Sequence, residues 1–165
     1  MGNIWYLIFS MVIFFGGTLF FQLTCTSLNS LSVSAYNLPK KYWIISKNWN
    51  WTFLIFTWGY AFPMIVYCHT NLMMFSGLFI MFVGLASRFR DNDETAYIHQ
   101  ICAAIGIILS QISIIVDYHN YWICIIMVPS TIYLYLISNK YSQWMKILEI
   151  IACCLIYLTL ILERF

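Results

Sequence analysis

The residues of this chain that could do chemistry fall into three groups. The first is Arg88, Arg90, Asp91, Asp93 and Glu94, followed shortly by His99. A carboxylate beside an imidazole can steady a cation or a lipid headgroup, and an arginine pair takes phosphate through its fork geometry. Ser32, Ser34 and Tyr36 belong to an earlier segment expected to meet this cluster. The second group is Cys68, His69, Asp117 and His119; two histidines and an aspartate are candidate zinc ligands, although no HExxH-type spacing joins them. The third is Glu149, with Lys146 three residues before it on the same helix face. Gln111 is a further intramembrane polar group, and Gln22, Ser110 and Ser113 are expected hydrogen-bond partners between helices. Each group also has a plainer reading. The charged cluster can be a solvated loop that fixes topology, loop-end histidines can simply meet water, and Lys146–Glu149 can be an ion pair whose lysine reaches the interface.

The elements that must position these residues are read from the spacing of charges. Of 165 residues, 62% are hydrophobic and 8% are charged, where a soluble domain carries about 25% charged residues. No charged side chain occurs in residues 1–39, 48–87, 95–116 or 118–139. A membrane-crossing helix needs about 20 mostly apolar residues, and a charge at its centre costs roughly 2.5–3.5 kcal/mol on insertion scales. Each charge-free run is therefore one span or two. The run 48–87 is too long for one and breaks at Cys68-His69-Thr70-Asn71. The expected fold is an all-α, polytopic membrane helical bundle forming one integral domain over 1–165. Its six helices are expected at about 4–24, 51–67, 72–87, 97–116, 121–138 and 144–162. A β-barrel would need alternating short segments instead of continuous runs. Trp5, Trp49, Trp51, Trp122 and Trp144 sit near the expected helix ends, as in an aromatic belt. Pro63 and Pro129 fall inside helices two and five, where a membrane bundle tolerates kinks. Ala103, Gly106 and Ser110 are small residues at helical spacing and mark a close helix contact. Val33-Ser34-Ala35 would pass as a cleavage site. However, no basic residue precedes the first apolar run and that run exceeds a usual signal sequence, so helix one is expected to be retained.

Charge also sets the threading. Loops one, three and five carry Lys40, Lys41, Lys47, Arg88, Arg90 and Lys140, against Arg164 alone on the other side. The positive-inside rule puts the basic loops in the cytoplasm and both termini outside. The net charge of +2 is too small to indicate nucleic-acid binding. There is no G-x-S-x-G elbow, no Walker loop and no dinucleotide fingerprint, so no catalytic residue and no cofactor is assigned. The six cysteines include no C-x-x-C pair; Cys68 and Cys124 fall near one membrane face, where a disulfide is conceivable.

Three short patterns occur in order: Ser32, Ser34, Ala35 and Tyr36 after helix one, Phe89-Arg90-Asp91 after helix three, and His99-x-x-x-Ala103 opening helix four. In these the chain resembles the small six-helix membrane proteins of the DRAM/Frag/Sfk-like type, and similarly built proteins of Bacteroidetes and their phages. The resemblance implies a six-helix bundle in which the Ser32/Ser34 loop and His99 are paired. It implies no particular reaction; such relatives are tied to lipid and membrane organisation. The expected location is a bacterial cytoplasmic (inner) membrane, with membrane lipids, a second copy or another membrane protein as partners. Three functions compete: a non-enzymatic lipid-interacting or membrane-organising protein, a small transporter or channel using Glu149, Gln111 and Gln22, and a metal-dependent intramembrane lipid hydrolase.

Overall fold

The structure, a computed structural model, describes residues 4–24, 49–86, 93–121, 123–136 and 144–163. These form six α-helices, and no strand occurs among the described residues. The helices are α1 (Ile4–Thr24), α2 (Trp49–Val66), α3 (Asn71–Leu85), α4 (Asp93–Val116), α5 (Val128–Leu136) and α6 (Trp144–Leu162). Two helical stretches, Asp93–Val116 and Met145–Leu162, are long and apolar enough to cross a membrane; Ile4–Phe20, Trp51–Val66 and Asn71–Leu85 are shorter apolar helices.

Two boundaries differ from the charge-based expectation for clear reasons. Helix four starts at Asp93, about a turn earlier than expected, because Asp93 and Glu94 fall in its first turn. Carboxylates there meet the positive end of the helix dipole, so the charges extend the helix where a membrane argument would end it. Helix five was expected to run unbroken from about residue 121. Instead a π-helical turn, Ile123–Met127, precedes α5. Pro129 has no N–H to give the carbonyl four residues back, and a π turn is one way the ladder absorbs that loss.

α1 and α2 run in opposite directions. Tyr6 meets Phe62 at 5.9 Å between ring centres, while Phe14, further along α1, stacks on Phe56, earlier in α2. The main-chain N–H of His69 donates to Tyr118 Oη at 3.3 Å, which sets the α2–α3 turn beside the end of α4. Asn120 Nδ2 donates to Thr159 Oγ1 at 3.3 Å, which brings the end of α6 to the same place. The start of α1, the α2–α3 turn, the end of α4 and the end of α6 therefore share one end of the bundle.

Packing is closest through α2, α3 and α4. A Cβ added at Gly77 would lie 2.8 Å from Ile65 Cγ1 and 3.2 Å from the Ala61 carbonyl oxygen. Ser76 Oγ donates to the Gly106 carbonyl at 2.6 Å, and a Cβ at Gly106 would meet Ile80 at 2.8 Å. Small side chains let these backbones approach, and the approach brings a hydroxyl to a neighbouring helix carbonyl. Gly106 and Ser110 of the small-residue stripe are buried, and Ala103 packs on a smaller cluster of Phe53 and Val83.

The central core joins α1, α2 and α6. Phe14 lies 5.0 Å from Tyr60 and 5.7 Å from Tyr157. Beside these rings Ser10 Oγ donates to the Gly59 carbonyl and pairs with Tyr157 Oη at 2.7 Å. Pro63 explains the arrangement. Gly59 is four residues before Pro63, so its carbonyl loses its usual helical donor. Ser10, reaching across from α1, replaces that donor. In an apolar surround the freed carbonyl would otherwise cost several kcal/mol.

Candidate functional site

A connected group of polar side chains lies at the end of the bundle where the α2–α3 turn meets the end of α4. Thr70 caps α3, its Oγ1 accepting from the N–H of Met73 at 3.4 Å. The same oxygen lies 3.1 Å from Ser113 Oγ, and Ser113 Oγ donates to Asp117 Oδ2 at 2.7 Å. A short chain of hydroxyls thus links the α3 cap to a carboxylate one turn past Ser113.

After Asp117 the chain closes α4 in a tight sequence. Tyr118 N–H reaches the Ser113 carbonyl at 3.2 Å, and Asn120 N–H reaches the Ile114 carbonyl at 2.9 Å. Between them His119 takes φ 50°, a left-handed conformation that costs an L-residue roughly 1–2 kcal/mol. Tyr118 is nearly buried. Its hydroxyl is held above the usual tyrosine range chiefly by burial, with Cys68, Glu163 and Asp117 adding to the shift and the His69 N–H opposing it. Cys68 donates to the Ile65 carbonyl at 3.0 Å, and burial pushes its thiol up as well.

The structure brings the neighbourhoods of His69 and Asp117 together, as the expected meeting of loops two and four required. It does not assemble a metal centre from them: among the described residues no three His, Cys, Asp or Glu side chains group as ligands would. His69 enters through its main-chain N–H, and Asp117 is held by Ser113. His119 contributes a turn geometry. Cys68 is a free thiol, so the conceivable bridge to Cys124 is not formed.

His99 stands at the opposite end and is 5% exposed. Its ring stacks on Phe53 at 5.8 Å and faces the carbonyls of Val83 and Ala86, where α3 ends. Those are carbonyls that a helix terminus leaves without helical donors. His99 thus lies against the C-terminal end of α3. Asp93 is exposed at the start of α4, a turn and a half from His99. Ser32, Ser34, Tyr36, Arg88, Arg90 and Asp91 lie outside the described residues, as do the Ser-rich and Phe-Arg-Asp patterns on which the resemblance partly rests.

Inside the helices, Lys146 is 3% exposed, so it turns into the protein instead of reaching outward to the interface. Glu149 is half-buried one turn further on. Gln111 is also buried; its Nε2 donates to Ser110 Oγ at 3.1 Å and reaches the Ala152 carbonyl of α6 at 3.5 Å. Of the expected interhelical donors, Ser113 and Gln111 therefore cross between helices, while Ser110 Oγ turns back to the Ile107 carbonyl of its own helix.

Sequence reasoning passed over Ser10, Thr70, Tyr118 and Tyr157. The signal for Ser10 was Pro63, since a proline inside an apolar helix leaves an acceptor four residues earlier that a neighbouring helix can serve. Comparison of the chain with protein-family models, with curated proteins and with solved structures found no match.

Proposed function

We propose that this chain is a polytopic integral membrane protein whose helices form six spans, and that it interacts with lipid and organises the membrane around it without catalysing a reaction. The observation that carries the reading is the apolar exterior of the helices. On α1, Trp5, Tyr6, Ile8, Phe9, Val12, Phe15, Leu19 and Leu23 are all exposed, while Leu7, Ser10 and Phe14 are buried. α2 exposes Trp51, Ile55, Trp58, Phe62 and Val66, and α4 exposes Ile101, Ile108, Ile112 and Val116. A helix apolar on all sides belongs in hydrocarbon or in a large core, and patches of this extent on a water-soluble surface would drive aggregation.

An open groove of about 410 Å³ between α1 and α2 supports the lipid part of the reading. Tyr6, Phe9, Ile13, Ile55, Trp58 and Phe62 line it, a wall suited to an acyl chain. The DRAM/Frag/Sfk-like resemblance points in the same direction. The basic loops are placed in the cytoplasm and both termini outside, in a bacterial inner membrane.

Alkaline carbonate extraction tests the central claim: the chain stays in the pellet and disperses only in detergent. Recovery in the supernatant refutes it. Cysteine labelling of the 40–47 segment, protected in intact cells and reactive after permeabilisation, checks the orientation.

A second reading, passage of a small polar solute, has one observation in its favour. Among the described residues Gln111 Oε1 is buried without a hydrogen-bond partner, and Tyr60 Oη lies beside Cys153 on the face of α6 that also carries Glu149 and Tyr157. Flux into proteoliposomes that falls in Glu149→Gln would favour it; fluxes equal to those of empty liposomes would remove it.

A further inference from the structure

The end of α4, the turn that follows it and the end of α6 enclose an open cavity of about 390 Å³, lined by Tyr118, His119, Asn120, Tyr121, Ile125 and Leu162. Its composition is graded. Tyr118 is a nearly buried ring at the base, and Tyr121, 59% exposed, stands at the rim. Ile125 and Leu162 are apolar and exposed on the helical side. Two carboxylates adjoin the lining residues along the chain: Asp117 precedes Tyr118 just past α4, and Glu163 follows Leu162 at the end of α6. Asp117 Oδ2 accepts from Ser113 Oγ at 2.7 Å, which fixes the carboxyl in place. His119 forms the wall in its left-handed conformation. The same conformation closes α4, since it lets the Asn120 N–H reach back to the Ile114 carbonyl at 2.9 Å, and so fixes where the cavity wall stands.

Aromatic rings with carboxylates behind them attract an organic cation. The ring face carries negative electrostatic potential, and an ammonium within about 6 Å of a ring centre is bound by it. Exposed apolar side chains directly below then suit what such a cation is attached to in a membrane. We propose that this cavity holds the alkylammonium headgroup of a membrane lipid, with Tyr118 and Tyr121 against the cation, Glu163 and Asp117 supplying counter-charge, and Ile125 and Leu162 against the upper acyl chain. The proposal rests on the membrane reading above and specifies which headgroup chemistry the protein selects.

The test uses the full chain in nanodiscs made of equal parts phosphatidylcholine and phosphatidylglycerol, with retained lipid counted by native mass spectrometry. The choline lipid is expected to be enriched over the glycerol lipid by roughly three- to fivefold, the range one cation–π contact supplies. Tyr121→Ala and Glu163→Gln each return the ratio towards that of the bulk bilayer, while Tyr121→Phe, which keeps the ring, retains the enrichment. The helical circular dichroism of all three variants stays that of the parent, which separates loss of the site from loss of the fold. Tetramethylammonium at millimolar concentration separates two sources of the same chemistry. Displacement of the lipid shows that the cation alone is recognised; persistence shows that the acyl chain is held too. A parent protein with the bulk lipid ratio, or Tyr121→Ala and Glu163→Gln variants that keep the enrichment, overturns the proposal and leaves the membrane reading standing. A chain that never enters the nanodisc overturns both.

Discussion

Replacing Ser10 by alanine is expected to loosen the junction of α1, α2 and α6, and to do so because of Pro63. Ser10 Oγ donates to the Gly59 carbonyl and pairs with Tyr157 Oη at 2.7 Å. Both bonds are lost in Ser10→Ala, and both partners lie in a region closed to water: Ser10 is 1% exposed and Tyr157 2%. Leaving a buried polar group unpaired costs about 1–3 kcal/mol. Measured hydrogen bonds between membrane helices average nearer 0.6 kcal/mol. Two such losses therefore give about 1–3 kcal/mol in total. Pro63→Ala returns an N–H four residues after Gly59, so that carbonyl regains a donor within its own helix. In the Pro63→Ala background, Ser10→Ala strands only Tyr157, and its cost should fall by about half. The double-mutant cycle isolates this coupling, provided each single variant removes the interaction without adding another. Reversible unfolding in mixed micelles, followed by circular dichroism against the mole fraction of sodium dodecyl sulfate, gives all four stabilities. The explanation fails if Ser10→Ala costs the same with and without the proline.

Further consequences can be checked with the same preparation. Gly77→Ala forces a methyl to 2.8 Å from Ile65 Cγ1 and 3.1 Å from Met64 Cβ; overpacking of about 1–3 kcal/mol outweighs the gain of about 1 kcal/mol in helix propensity, so the variant unfolds earlier. Gly16→Ala meets nothing within 4 Å, so only the propensity gain remains and it unfolds later. His119→Gly removes the left-handed penalty and is expected to add about 1 kcal/mol; unfolding at lower detergent fraction than the parent would contradict this. Cys68 and Tyr118 both have their ionisations raised by burial. The stability each contributes is complete below its unfolded-chain value and is lost as pH rises towards the folded one. The protein should accordingly lose stability on the alkaline side, first as unfolded cysteine begins to ionise and again as tyrosine does. In a variant keeping Cys68 as its sole cysteine, maleimide labelling near pH 8 is expected to lag a freely exposed cysteine, and equal rates would show the thiol is not shielded.

The charge pattern alone determined where helices form. The ranges 4–24 and 144–162, read from charge spacing as continuous apolar runs of helical length, coincide with α1 and α6. It failed where local chemistry outweighed hydropathy. Asp93 and Glu94 extend α4 outward because a helix start welcomes carboxylates, and Pro129 disturbs helix five because it lacks a donor. The polar residues were legible as residues, and their roles were not. Glu149, Gln111 and His99 stood out as costly groups in apolar surroundings, yet nothing local said that His99 would face the end of α3 or that Lys146 would turn inward. Ser10 drew no notice at all, because a lone serine in an apolar helix has no meaning until the carbonyl freed by Pro63, 53 positions later in the chain, is set beside it. Likewise the ring-lined cavity after α4 exists only because Leu162 and Glu163, at the far end of the sequence, return to Tyr118. Helix formation depends on side chains within a few residues of one another and is written along the chain. Hydrogen-bond partners and cavities depend on which helices pack together, and only the folded arrangement sets that.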